Sequence, residues 1–242
     1  MKHIIVIVFA VCSLTLLSSC HFLHGEHIDG NGNVTTQTRT ASNFTGVDVS
    51  SAIHLYIKQD SAYSVKVEID DNLQPYIIVS EANGILYIKQ ENNTSLDATG
   101  KIKVYVSAPS FKYLEASGAC RIIGENTLTS AGAVDIHLSG ASDAKLELKA
   151  PKVSADLTGA SDITLQGETR DLSIDGSGAS HAKCFELSSE NTDVDLSGAS
   201  SAEVIASVKI NAKASGASDV RYKGNAAISQ DVSGAGSVKK VD

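Results

Sequence analysis

The 242-residue chain has no tryptophan, a single methionine, and aromatic residues at only 5%. Aromatic platforms for sugar rings are therefore scarce, which speaks against a long carbohydrate-cleaving groove. A glycoside hydrolase also needs two carboxylates at a defined separation; the sequence has many aspartates but marks out no such pair. Excess basic charge is missing too. The formal charge is −8, and it is one unit more negative once Lys2 is removed. That makes the chain a poor partner for nucleic acid or anionic lipid. No serine sits in a nucleophile arrangement, and there is no phosphate-binding loop.

What the chain does have is a repeat. Ser or Thr, then Gly, then Ala recurs at Gly118, Gly140, Gly159, Gly178, Gly198, Gly216 and Gly234, at spacings of 22, 19, 19, 20, 18 and 18 residues. A near-constant period of this length marks a solenoid with one coil per repeat. Four residues after each Gly stand Ile122, Ala144, Ile163, Ala182, Ala202, Val220 and Val238. Six after stand Leu146, Leu165, Cys184, Val204 and Tyr222, with Gly124 and Lys240 breaking the row at its ends. Two before stand Ala116, Leu138, Leu157, Gly176, Leu196, Ala214 and Val232. Apolar residues at every second position predict strands with one buried face. Stacked about 4.8 Å apart, such coils form a parallel β-helix of 18–22 residues per coil, with Gly at a corner that requires positive φ.

Residues 116–242 are expected to hold the regular coils, and 39–115 a less regular N-terminal section that also caps the stack. Alternation over Val47–Ile57, Val65–Ile69 and Ile102–Val106, with a turn at Asn83-Gly84, makes this section β as well. Val49-Ser50-Ser51-Ala52 reads as a worn corner, with Ser51 in the place of Gly.

Residues 1–19 read as a secretion signal, with Lys2 before the apolar run Ile4 to Leu17. The segment is too short and badly flanked to be a structural membrane span. It ends in Leu17-Ser18-Ser19-Cys20, which resembles the bacterial lipobox, so Cys20 is expected to carry the lipid that anchors the exported chain. Residues 20–38 are expected to be the lipidated Cys and a flexible tether. With Cys12 removed and Cys20 used, Cys120 and Cys184 remain. They lie three coils apart, roughly 14 Å along the axis, too far for a disulfide.

Two outward rows carry the candidate metal sites. Three residues before the corner come Glu115, His137, Asp156, Asp175, Asp195, Lys213 and Asp231. Three after come Arg121, Asp143, Asp162, His181, Ser201, Asp219 and Ser237. A hard cation such as Ca²⁺ could relieve repulsion among Asp156, Asp175 and Asp195, or between Asp143 and Asp162. The favoured reading is a solvated face without metal. His21, His24 and His27 could bind a transition metal if ordered; on a tether they are incidental. The row of corner hydroxyls could face a partner, but a repeated corner constraint explains it as well. No cofactor is expected.

Phe44-x-x-Val47-x-Val49, Ile57-Lys58-Gln59, Val65-Lys66-Val67-Glu68, Asp71-Asn72-Leu73, Gly84-x-Leu86-x-Ile88, Ile102-x-Val104-x-Val106 and the Ser-Gly-Ala-Ser corners together resemble the head GIN domain of autotransporter adhesins, over about residues 39 to 240. Similar domains are common as exported lipoproteins in Bacteroidetes-type bacteria. The resemblance implies a right-handed β-helix and an adhesive role, with no established ligand or active-site residues. Gln59-Asp60 departs from the Gly that often ends the first strand. The function expected is non-enzymatic binding of a glycan or protein by a lipoprotein of the cell envelope, most naturally at the outer membrane. The rivals are an envelope scaffold without a soluble ligand and a polysaccharide-active enzyme.

Overall fold

The computed structural model describes residues 25–242. The signal segment, Cys20, His21 and His24 lie outside the described residues. The chain opens with strands β1 (Glu26–Asp29), β2 (Val34–Arg39), β3 (Gly46–Val49), β4 (Ile53–Gln59) and β5 (Ser64–Asp70). A 3-10 turn over Asp71–Tyr76 leads to β6 (Ile77–Ala82), β7 (Ile85–Gln90), β8 (Thr94–Asp97) and β9 (Ile102–Ala108). The solenoid proper continues through β10 (Tyr113–Ala116), β11 (Arg121–Gly124), β12 (Leu128–Thr129) and β13 (Ala133–Leu138). Then come the long strands β14 (Asp143–Leu157), β15 (Asp162–Gly176), β16 (His181–Leu196) and β17 (Ser201–Ala214), and finally β18 (Asp219–Lys223), β19 (Ala227–Val232) and β20 (Ser237–Lys240).

From β10 onward every strand pairing is parallel, and the residue ladders follow the repeat. Val49, Ala116, Leu138, Leu157, Gly176, Leu196, Ala214 and Val232 form one inward row. Leu55, Ile122, Ala144, Ile163, Ala182, Ala202, Val220 and Val238 form a second. The fold is a parallel β-solenoid whose single core runs the length of the stack. The row six residues after the corner is interrupted once. Pairing shifts between Thr164 and Gln166, so Leu165 and Cys184 are not direct partners.

The stacking order differs from the chain order at the N-terminal end. β3 and β4 lie between β7 and β9 on one side and β10 and β11 on the other. The terminal coil is therefore the later segment, and the first segment is inserted next to it. Antiparallel strands then close the end: β6 on β7, and β5 on β9 with β2 outside it. Fully buried Phe44, Phe111 and Leu73 fill the space beneath. Antiparallel additions end the run of stackable parallel edges, as a solenoid cap must. Gln59 clamps this region. Its side chain donates to the Pro109 and Thr129 carbonyls at 2.8 and 3.0 Å and accepts from the Thr129 N–H at 2.6 Å.

The expected tether over residues 20–38 needs correction. The fold already includes β1, parallel to β8, and β2, antiparallel to β5. Both strands are polar and mostly exposed, which hid them from a reading based on buried alternation. They are held by backbone pairing and side-chain hydrogen bonds. Arg39 Nη2 donates to the Gln74 carbonyl at 3.0 Å, and Asn72 Nδ2 to the Asp29 carbonyl at 2.8 Å.

Candidate binding surface

The corners come first because they set the spacing of everything outside them. Each corner glycine has φ between 69° and 84°. From Ala119 to Ala235, the Ala N–H after the glycine donates to the carbonyl of the corner residue one coil earlier, at 2.7–2.8 Å. Ser51 heads this row with φ 86° and accepts from Ala119 at 2.8 Å. A serine is tolerated there because the chain beneath it diverts into β8 and runs no corner under it. The residue after Ala points inward. Ser142, Ser161, Ser200 and Ser218 are buried, and each hydroxyl donates to the carbonyl three residues back at 2.7–2.9 Å. These hydroxyls close the corner and are not available to a partner. The hydroxyls left toward the surface are those before the glycines: Thr158, Ser197 and Ser233 are exposed, and Ser117, Ser139, Ser177 and Ser215 are half-buried.

The acidic row is continuous in register. Asp48, Glu115, His137, Asp156, Asp175, Asp195, Lys213 and Asp231 are successive partners. His137 Nδ1 meets Asp156 at 2.9 Å and Lys213 Nζ meets Asp195 at 3.6 Å. Asp175, between them, makes no ion pair among the described residues. Partial burial, then the charges of Asp156 and Asp195, push its carboxyl above the ordinary range. A raised carboxyl pKa means that ionisation opposes folding. The stability lost as pH rises through the folded value is fully present below the ordinary carboxyl pKa of 3.8. Asp175→Asn should therefore raise the melting temperature at pH 7 by about 1 °C, since like charges across strands cost a few tenths of a kcal/mol. The gain should vanish below pH 3.8. A thermal melt series against pH reads both.

The other candidate pair, Asp143 and Asp162, sits in direct register on the adjacent outer row. Asp143 accepts from Arg121 Nε at 3.1 Å and from Nη2 at 2.5 Å, and Lys183 approaches Asp162 at 3.8 Å. Both aspartates thus have cationic neighbours supplied by the chain. Among the described residues, one group of three ligand-type side chains has donor atoms all within 4.8 Å of one another: His27, Asp29 and Asp97. All three are exposed, and His27 Nε2 lies 3.0 Å from Asp29. Of the three histidines expected on the tether, His27 therefore stands on β1.

This same outer face carries a feature that the sequence reading missed. One row runs Lys103, His54, Arg121, Asp143, Asp162, His181, Ser201, Asp219, Ser237. Beside it runs Tyr105, Tyr56, Ile123, Lys145, Thr164, Lys183, Glu203, Arg221, Lys239. Tyr56 and Tyr105 stack with ring centroids 5.0 Å apart and planes inclined by 20°. Both are half-buried. The two tyrosines are 49 positions apart, and only the out-of-order stacking of β4 on β9 joins them. The outcome is one outer face, aromatic at its N-terminal end and lined with charges and hydroxyls along its length, with a depression of about 410 Å³ between Arg121, Asp143, Lys145 and Lys183. Lys103 is also tied to Glu68 at 2.7 Å, which fixes its direction.

Cys120 and Cys184 are free and buried. Burial pushes their thiols up to about 11 and about 12, respectively, so both are poor nucleophiles. Alkylation at pH 8 should leave both unmodified in the folded protein and modify both after denaturation without reductant, as read by intact mass.

A family model described as "putative auto-transporter adhesin, head GIN domain" matches residues 43–226. No curated protein matches the chain. Among solved structures, a "putative adhesin" from Bacteroides fragilis aligns with a TM-score of 0.83 at 19% identity, over 88% of this chain and 100% of the other. A "putative adhesin" from Parabacteroides distasonis gives 0.70 at 23% identity, over 89% and 100%. A "putative lipid binding protein" from the same species gives 0.68 at 23% identity, over 90% and 100%. At these identities the structural likeness speaks to the fold alone.

Proposed function

This chain belongs to the head GIN domain family, and from that premise we propose that it is a non-enzymatic binding protein, exported and held at the envelope, most naturally at the outer membrane, by a lipid on Cys20. One observation carries the reading: the outer face that begins at the stacked Tyr56 and Tyr105 and continues through Arg121, Asp143, Lys145 and Lys183. The solenoid core is filled by side chains, so a ligand is taken on the outside. A rigid face with donors and acceptors repeated at the coil spacing suits an extended polymer with its own repeat, such as a polysaccharide. The exposed edges of the tyrosine pair offer one aromatic contact for a sugar ring, and the charged rows supply hydrogen bonds beside it.

The test uses residues 25–242, which hold every described element, immobilised and incubated with a panel of bacterial and host polysaccharides. Mass spectrometry reads both retained and released material. Selective retention of intact glycans is the expected result. Tyr56→Thr with Tyr105→Thr, which keeps strand-forming residues in place, should weaken retention about tenfold, the loss of roughly 1.4 kcal/mol of aromatic contact. New, shorter glycans would show an enzyme instead. No retention of any glycan would move the reading to a protein partner or a scaffold.

A further inference from the structure

The two ends of the solenoid are not alike. The N-terminal end finishes in the antiparallel strands β2 and β6, each paired on one edge only, whereas at the other end the last parallel coil itself is bare, with β19 paired only to β17 and β20 only to β18. Their outer edges have no partner among the described residues. Residues that are buried in every inner coil come to the surface here: Ile228 is 37% exposed and Val232 43%, where their neighbours Ile210 and Ala214 are at 0% and 1%. Both strands lie beyond residue 226, where the family match stops.

Unpaired strand edges template further pairing. The direction of the free groups can be read from the bonds already made. The N–H groups of Ser233, Ser237 and Val241 point back to the preceding coil. In an extended strand the N–H and C=O of one residue point the same way and those of the next point opposite. The outward-pointing groups therefore belong to Ile228, Gln230, Val232, Val238 and Lys240.

We propose that this end binds a second copy of itself, with a two-fold axis through the corner at Ala235. Such an axis lays β19 of one copy antiparallel on β20 of the other, twice. The residues then pair so that their numbers sum to a constant centred on Ala235. Val232 meets Val238 of the second copy and Gln230 meets Lys240, and these are the residues with outward N–H and C=O groups. On the outer surface Asp231 meets Lys239, and Ser233 meets Ser237. A slide of two residues in either direction keeps the hydrogen bonds possible but sets Gln230 against Val238, or Val232 against Lys240. The register that satisfies the backbone therefore also matches apolar to apolar, charge to opposite charge, and the inward Gln230 to the inward Lys240. Closure is built in. The interface is isologous, so one partner uses up both free edges of the C-terminal end, and the antiparallel N-terminal end does not repeat the β19–β20 corner that the pairing requires.

The test is charge exchange, read by sedimentation velocity of residues 25–242 over a concentration series. The wild type should pass reversibly from monomer to dimer and stop there. Asp231→Lys and Lys239→Asp, both at exposed positions, should each weaken the dimer at least tenfold, because like charges then face each other twice. Mixing the two single variants should restore a heterodimer, since every facing pair is again opposite in sign; the double variant should restore the homodimer. A wild type that stays monomeric at the highest soluble concentration overturns the proposal. So do oligomers that grow past the dimer, or a dimer that neither single substitution weakens.

Discussion

Gly178→Ala should cost about 2–5 kcal/mol and lower the melting temperature by roughly 5–15 °C, although the residue is exposed and touches no core side chain. Two effects add. Gly178 has φ 83°, where an L-residue with a Cβ loses about 1–2 kcal/mol. The added Cβ would also lie 2.6 Å from the Gly159 carbonyl oxygen and 3.1 Å from its amide nitrogen. That oxygen is held by the Ala179 N–H at 2.7 Å, so it cannot move without opening the ladder it belongs to. A surface methyl normally points into solvent; this one would point along the stack, into the preceding coil's backbone. Gly132→Ala is the control. Nothing lies within 4 Å of that Cβ position, and the change should leave stability unaltered or slightly raised. Equal melting temperatures for the two variants would show that the corner row does not set the coil spacing. At Ser51 the substitution runs the other way. A non-glycine already occupies φ 86°, so Ser51→Gly should stabilise by about 1 kcal/mol.

The regular coils were legible because a solenoid writes its contacts as a sequence period. Asp156, Asp175 and Asp195 are ladder partners for the same reason that Gly159, Gly178 and Gly198 are nearly equally spaced. The acidic rows and the corner row could thus be counted off residue by residue. Ser51 could be recognised as a corner because it precedes an Ala and follows an apolar residue and a Ser, as in Leu138-Ser139 and Val232-Ser233. The N-terminal end obeyed no such rule. There β4 stacks between β9 and β11, so the contact between Tyr56 and Tyr105 has no period to reveal it. Both tyrosines stood in alternating strands, which showed that they face outward but not that they face each other. Strands β1 and β2 were missed for a different reason. Val34-Thr35-Thr36-Gln37-Thr38-Arg39 buries almost nothing, so its strand form is dictated by a neighbour's edge and by hydrogen bonds, which hydrophobic alternation does not record.

Asp70 ties that polar N-terminal segment to the cap, and its removal should be the most damaging single change outside the core and the corners. The side chain is only 1% exposed. It accepts from the Gly32 N–H at 2.8 Å, the Thr99 N–H at 3.0 Å and the Thr99 hydroxyl at 2.7 Å. Burial alone would raise its pKa; the hydrogen bonds outweigh that and hold the carboxyl below the usual range. Gly30 is part of the same fit, since a Cβ there would stand 2.6 Å from Asp70 Oδ2. Asp70→Ala leaves three donors without an acceptor and should cost about 2–4 kcal/mol. The loss should be local first. Hydrogen exchange should speed up in β1, β2 and β8 while the corner amides from Ala141 to Ala217 stay protected. Asp70→Asn keeps one acceptor oxygen and should lose less. The pH dependence has a fixed sign. A depressed carboxyl pKa contributes stability that is present above the ordinary value of 3.8 and is lost as pH falls through the folded value. Wild type and Asp70→Ala should therefore converge in acid and diverge toward neutrality. A gap between them that does not depend on pH would mean that the carboxylate's charge is not what the donors recognise. Unchanged exchange in β1 and β2 would mean that the N-terminal strands are held by their backbone pairing alone.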